Sequence, residues 1–204
     1  MAQQLKDEVR DRIMSAALDA FASRGFRAAT MAGIARRAGI STGNIYRYSP
    51  DKETLFDTVV PPSFAREFLQ LIRRRVRSLE GVTDVARLPA GSVFRAVAEE
   101  LLAFSIANRL RVIVLLGRAE GTRYAAFAPR LRAELQGLAL AHYRGLGGRV
   151  RVTAAHRFAL ERIYDDWLRT MVEILAASRD GAEIRERVEA YSRYHLGGLN
   201  ALFA

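Results

Sequence analysis

Apolar residues return every three or four positions along almost the whole chain, and no long stretch alternates residue by residue between apolar and polar. That spacing predicts helices throughout. Leu5, Val9, Ile13, Ala17 and Phe21 form the stripe of a first helix, which Arg24 and Gly25 close as last turn and glycine stop. Thr30 caps a short second helix with Met31, Ile34, Ala35 and Ala38 inward, and Gly39 ends it. Ser41 or Thr42 caps a third, running to Tyr48 and stopped by Ser49-Pro50, because the residue before proline resists helical angles. Asp51 opens a fourth, with Glu53 also in the first turn where the helix dipole favours acids. Pro61-Pro62 breaks it.

The pattern resumes with Phe64, Phe68, Leu71, Ile72 and Leu79, and Glu80 to Gly91 reads as a loop. Ser92 caps a helix carrying Phe94, Val97, Leu101 and Phe104; Leu110 to Leu116 is apolar all round and belongs inside a helical core. Another helix spans Phe127 to Leu146, closed by Gly145, Gly147 and Gly148. Two long helices finish the chain. Thr153 caps the first (Leu160, Ile163, Tyr164, Trp167, Met171, Ile174, Leu175), and Asp180 caps the second (Ile184, Val188, Tyr191, His195, Leu199, Leu202). The expected boundary lies at Pro61-Pro62, giving a small front module, residues 1–60, and a larger all-helical module, 61–204.

Composition narrows the function. The chain has 204 residues and a formal net charge of +10, which points to an anionic partner without naming it. Lys6 and Lys52 are its two lysines, the other positive charges being arginine. There is no cysteine, which excludes disulfides, thiolate metal sites and cysteine nucleophiles. Three histidines, His142, His156 and His195, leave little for a metal cluster. The opening segment is charged, unlike a signal peptide, and the longest aliphatic run, Val112 to Leu116, is far below the ~20 residues of a membrane span. No G-x-S-x-G, Walker loop or H-E-x-x-H occurs, and Asp165 and Asp166 diverge by about 100° on a helix, so no carboxylate dyad forms. The expectation is a cytoplasmic non-enzyme with no metal and no cofactor.

The informative stretch is Thr30 to Phe56. Ala35 is small where two helices approach, Gly39 supplies a turn with positive φ, and Ile45 points back to pin the crossing. This is the steric specification of a helix-turn-helix. No carboxylate occurs between Asp19 and Asp51, while Arg24, Arg27, Arg36, Arg37 and Arg47 fall in that gap and Lys52 just beyond. A surface facing phosphates needs that, because a carboxylate there would repel the duplex. The third helix is headed by hydroxyls, so its N-terminal amides can face a phosphate or base edges. Gly43 permits close approach, Asn44 and Arg47 can donate to bases, and Tyr46 and Tyr48 reach phosphate oxygens.

These residues resemble the DNA-binding signature of the TetR family of bacterial regulators. The resemblance rests on Ile34-Ala35, Ala38-Gly39-Ile40-Ser41, Gly43, Ile45-Tyr46-Arg47-Tyr48, Asp51-Lys52-Glu53 and Leu55-Phe56. It is specific over about the first quarter of the chain. Two residues depart: Ser49, where the family usually has an aromatic packed under the recognition helix, and Asp51, where it often has serine. The resemblance implies that Thr30 contacts a phosphate, that Thr42, Asn44 and Arg47 face bases beside Gly43, and that Tyr46, Tyr48 and Lys52 hold the backbone; Ser41 completes the site.

The resemblance also implies an all-α chain, a three-helix DNA-binding module followed by a helical ligand-binding and dimerisation bundle. It implies three partners: a double-stranded DNA operator, a second copy of the chain, and a small-molecule effector. Trp167, Met171, Leu175, Leu199 and Leu202, with Gly197-Gly198, are candidates for a dimer seam, although the same stripes suit the chain's own core. A dimer places two motifs one helical turn apart, ~34–36 Å, to read a palindrome. Effector candidates are polar groups at the edges of apolar helices, Arg118, Tyr124, His142, Tyr164 and Asp165, with Phe104, Phe127 and Trp167 as aromatic walls. The competing reading is a basic interaction or membrane-surface bundle, carried by Arg73, Arg74, Arg75 and Arg77.

Overall fold

The computed structural model describes residues 2–82, 88–89, 91–145 and 152–202, and among them every regular element is a helix. The elements are α1 (Ala2–Ala28), α2 (Met31–Arg37), α3 (Thr42–Ile45), α4 (Lys52–Val59), α5 (Pro62–Arg77), α6 (Val93–Ala107), α7 (Arg109–Gly117), α8 (Phe127–Gly145), α9 (Ala154–Ala177) and α10 (Gly181–Leu202). The expected stops at Gly147 and Gly148, and residues 83–87 and 90 of the expected loop, lie outside the described residues. No described helix is long and apolar enough to cross a membrane.

The chain divides into two compact units. The front unit is Met1–Arg66 with Leu110–Phe127, and the rear unit is Glu67–Arg109 with Ala128–Ala204. The division therefore falls inside α5, and α7 contributes its apolar run to the front unit. Val112 to Leu116 are all buried there, as their all-round apolarity requires.

In the front unit, Ile13, Ala16, Ala17 and Phe21 bury one stripe of α1. Gly25, at φ 79°, breaks the helix, and one further turn follows to Ala28. The break turns Phe26 back against Phe21 and Phe56, with ring centroids 5.2–5.7 Å apart around the triangle. The Phe26 amide donates to the Arg118 carbonyl at 3.1 Å, and Arg111 donates to the Val59 carbonyl at 2.7 Å. The second contact satisfies a carbonyl that α4 leaves open at its C-terminus. Pro62 stands at the first position of α5, where its missing N–H costs nothing.

In the rear unit, α9 and α10 pack together, with Tyr164 and Trp167 against His195, and Leu160, Leu168, Ile174, Ile184 and Leu199 are buried as well. Thr153 and His156 form a reciprocal capping box, and the Asp180 carboxylate accepts from the Glu183 amide at 2.9 Å. Of the expected seam residues, Trp167, Leu175 and Leu199 are buried within the single chain, which assigns them to its own core. Met171 and Leu202 are half-buried. The exposed stripe of α10 keeps the expected Gly197 and Gly198 and adds Tyr194 and Ala201: the four recur at i, i+3, i+4 and i+7, so they share a face.

Candidate nucleic-acid interface

The helix-turn-helix is built as its spacing requires. Ile34, Ala35 and Ile45 are fully buried, and Met31 and Ala38 nearly so. Thr30 accepts from the Gly33 amide at 3.1 Å, which fixes the start of α2. Gly39 takes φ 70°, and its neighbour Ile40 donates back to Ala35 at 3.0 Å, closing the turn. Ser41 is the cap of α3, accepting from the Asn44 amide at 3.2 Å. This resolves the choice between Ser41 and Thr42, and it leaves the Thr42 hydroxyl unused by the cap.

One element is shorter than expected. The α-helix ends at Ile45, and the chain continues to Ser49 in tight turns: Arg47 donates to Asn44 and Tyr48 to Ile45, at 3.1 and 3.0 Å. The cause is local. Two aromatic residues and a Ser-Pro pair follow, and proline forbids continuation. A four-residue helix has little dipole, so the weight of the face moves from α3's N-terminus to its side chains.

Those side chains point outward. Tyr46 is 51 % exposed. Ser41, Thr42, Gly43 and Arg47 are exposed, Asn44 and Tyr48 half-buried, and Thr30 exposed at the head of α2. Around them, Arg24 and Arg36 are exposed as well. A crevice of about 170 Å³ runs between α1 and α2, lined in part by Arg24, Thr30, Arg36 and Arg37. The acid-free stretch is not wholly unpaired: Arg37 binds Asp19 at 3.1 Å and Arg27 binds Glu120 at 2.9 Å.

Two positions differ in use from the expectation. Lys52 does not extend to solvent. Its ammonium donates to the carbonyls of Phe26 and Ala29, at 2.9 and 3.0 Å, and lies 4.3 Å from the Phe26 ring centre. It closes the open carbonyls where α1 ends. Ser49 is 2 % exposed, and its hydroxyl donates to the Asp51 carbonyl at 3.0 Å. The departure noted at position 49 is thus a buried, hydrogen-bonded serine. Asp51 accepts from Thr54 at 2.6 Å, and that bond holds its carboxyl below the ordinary value.

The expected effector residues are divided between the units: Arg118, Tyr124 and Phe127 belong to the front one, and Phe104, His142, Tyr164, Asp165 and Trp167 to the rear. Tyr124 packs on Phe56 and Phe127, and its buried hydroxyl has no hydrogen-bond partner among the described residues. Asp165 is held by Arg132 and Arg162, at 2.6 and 2.8 Å, so it serves an ion-pair network. Phe104 stacks on Phe68. His142 is half-buried. Tyr164 and Trp167 each lie against the His195 ring, as does Tyr191.

The sequence reading put Arg75 in a basic surface cluster and not against an aromatic ring. A signal existed: position 75 is three and four residues from Ile72, Leu71 and Leu79, inside the apolar stripe of α5. The four-arginine cluster also proves divided. Arg73 makes a two-pronged pair with Glu134, whose carboxyl it pulls below its usual value, and Arg74 pairs with Glu100 at 2.9 Å. Arg75 turns onto the Phe94 ring.

A buried crossing, a glycine turn and an outward row of donors define a helix-turn-helix protein. Residues 13–59, which carry the helix-turn-helix, match the family model of bacterial regulatory proteins, tetR family. Comparison with curated protein sequences gave no match. Similar solved structures extend over nearly the whole chain at low identity. A protein assigned to the tetR family of transcriptional regulators from Mesorhizobium loti is 20 % identical, with 95 % of this chain and 96 % of that one covered and a TM-score of 0.41. A TetR-family regulator from Streptomyces coelicolor is 16 % identical, with 97 % and 95 % covered and a TM-score of 0.32. NalD, the secondary repressor of the MexAB-OprM multidrug efflux pump in Pseudomonas aeruginosa, is 18 % identical, with 92 % and 95 % covered and a TM-score of 0.34.

Proposed function

We propose that the chain is a sequence-specific DNA-binding transcriptional regulator, a repressor that leaves a palindromic operator when a small molecule binds its rear unit. The observation that carries the reading is the outward presentation of Tyr46 and Arg47 on a correctly packed helix-turn-helix, in a stretch without a single carboxylate from residue 20 to 50. Arg47 and Asn44 read base edges, with Thr42 beside them and Gly43 allowing approach. Thr30, Ser41, Tyr46 and Tyr48 fix the register on phosphates. Lys52 supports this surface from behind by holding the end of α1.

One such module reads only a few base pairs, so the functional form is a homodimer. Its interface is the exposed α10 face of Tyr194, Gly197, Gly198 and Ala201, continued on α9 by exposed Phe158. The glycines let a partner helix approach closely. The membrane-surface reading loses support, because Arg73 and Arg74 are engaged by glutamates and Arg75 packs on an aromatic ring.

The test is selection of bound duplexes from a random DNA library. The expected result is a palindrome whose half-sites lie about one helical turn apart. Recovery of no motif, with equal affinity for unrelated duplexes at fixed salt, would refute specific reading.

A further inference from the structure

Four helices of the rear unit bring one cation and a set of rings together. Arg75 comes from α5, Phe94 from α6, Tyr164 and Trp167 from α9, and Tyr191 and His195 from α10. The ring of His195 lies 5.8 Å from Tyr164, 6.1 Å from Trp167 and 6.1 Å from Tyr191, centre to centre. The Arg75 guanidinium lies 5.1 Å from the centre of Phe94.

Arg75 is anomalous among its neighbours. Arg73 and Arg74 each hold a glutamate, yet among the described residues no carboxylate pairs with Arg75. Burial pulls its guanidinium below the ordinary value, and Tyr164 is the group that acts against this. The residue is half-buried, so it keeps some accessible surface. A desolvated, unpaired cation is unfavourable to a fold, and an arriving anion removes the penalty.

The chemistry of that anion follows. A guanidinium presents a planar fork that matches two carboxylate oxygens. Burial and Arg75 itself push His195 down to about 4, so it is neutral near pH 7 and adds no positive charge. One cation among aromatic walls suits a monoanion on an apolar body and disfavours a phosphate dianion. The acid that acts on His195, Asp166, is exposed and accepts from the Tyr191 hydroxyl at 2.7 Å.

We propose that Arg75, with Phe94, Tyr164, Trp167 and His195, binds a small amphipathic carboxylate, its carboxyl against the guanidinium and its apolar body among the rings. Its role as effector rests on the ligand-responsive reading above, while the binding itself does not.

Trp167 is the chain's single tryptophan, so its fluorescence reports on this cluster directly. The full-length protein is titrated with benzoate, phenylacetate and octanoate, each against its primary amide. Saturable fluorescence changes are expected with at least one acid, with its amide at least tenfold weaker. Arg75→Met weakens the same acid at least tenfold while leaving the circular dichroism spectrum unchanged. No response to any acid, amides as tight as acids, or an unweakened Arg75→Met overturns the proposal. The acid–amide comparison uses the unaltered protein and decides even where the variant does not fold. Release of the selected palindrome is measured separately: an acid that binds but releases no DNA refutes the ligand-responsive reading and leaves the site standing.

Discussion

Arg47 stands just past the C-terminal cap of α3, exposed and without an ion pair among the described residues. Its guanidinium is free to meet a guanine edge. Arg47→Ala is expected to weaken operator binding by about 1–3 kcal/mol and to relax one position per half-site. Equal losses on operator and random DNA, in titrations at matched salt, would reduce Arg47 to a phosphate contact. His195 gives a second prediction at this scale. It is 6 % exposed and its folded value of about 4 lies below its ordinary 6.5. A depressed histidine makes the unfolded chain bind the proton more tightly. Its contribution to stability is therefore full above pH 6.5 and is lost as pH falls from there to about 4. The loss is about 3 kcal/mol over that window. Denaturant melts across pH 7 to 4 should show this drop in the parent and a shallower one in His195→Gln; parallel curves would remove it.

Among the elements, the turn between α2 and α3 is the most demanding. Gly39 takes φ 70°, and open space beside it would admit a methyl group, the nearest atom being an Arg12 nitrogen at 3.5 Å. The obstacle is therefore the backbone, and Gly39→Ala is expected to cost about 1–2 kcal/mol, read as a lower thermal midpoint. The turn was legible in the chain because it is written in local sterics: a small residue, a glycine and an aliphatic at fixed spacing. The caps at Thr30, Asp51, Ser92, Thr153 and Asp180 were legible for the same reason. The end of α3 was not, since aromatic residues tolerate both helix and turn. The inward course of Lys52 was hidden too, because its acceptors are carbonyls 23 and 26 residues away. Periodicity also left Trp167, Leu175 and Leu199 undecided between core and seam. It shows that a face is apolar, and which neighbour covers it is a tertiary fact.

At the scale of the molecule, the proposed dimer puts its demand on an outer face of α10. A side chain added at Gly197 or Gly198 meets nothing within 4 Å in the single chain. Gly197→Arg should therefore leave the helical spectrum intact while blocking a partner helix. Light scattering on eluting protein should give twice 22.8 kDa for the parent and 22.8 kDa for the variant. A dimer that survives Gly197→Arg would move the interface elsewhere. Loss of dimerisation should also abolish palindrome binding while leaving weak, salt-sensitive attraction to any duplex.

The two-carbonyl perch of Lys52 carries a consequence for chemical handling. In a chain whose cations apart from Lys6 and Lys52 are arginine, this position uses a compact ammonium and not a flat, five-donor head. Amine-directed dyes and cross-linkers should accordingly report on Lys6 alone among the side chains while the fold is intact. Acylation at residue 52 then serves as a clock for the opening of the α1 terminus.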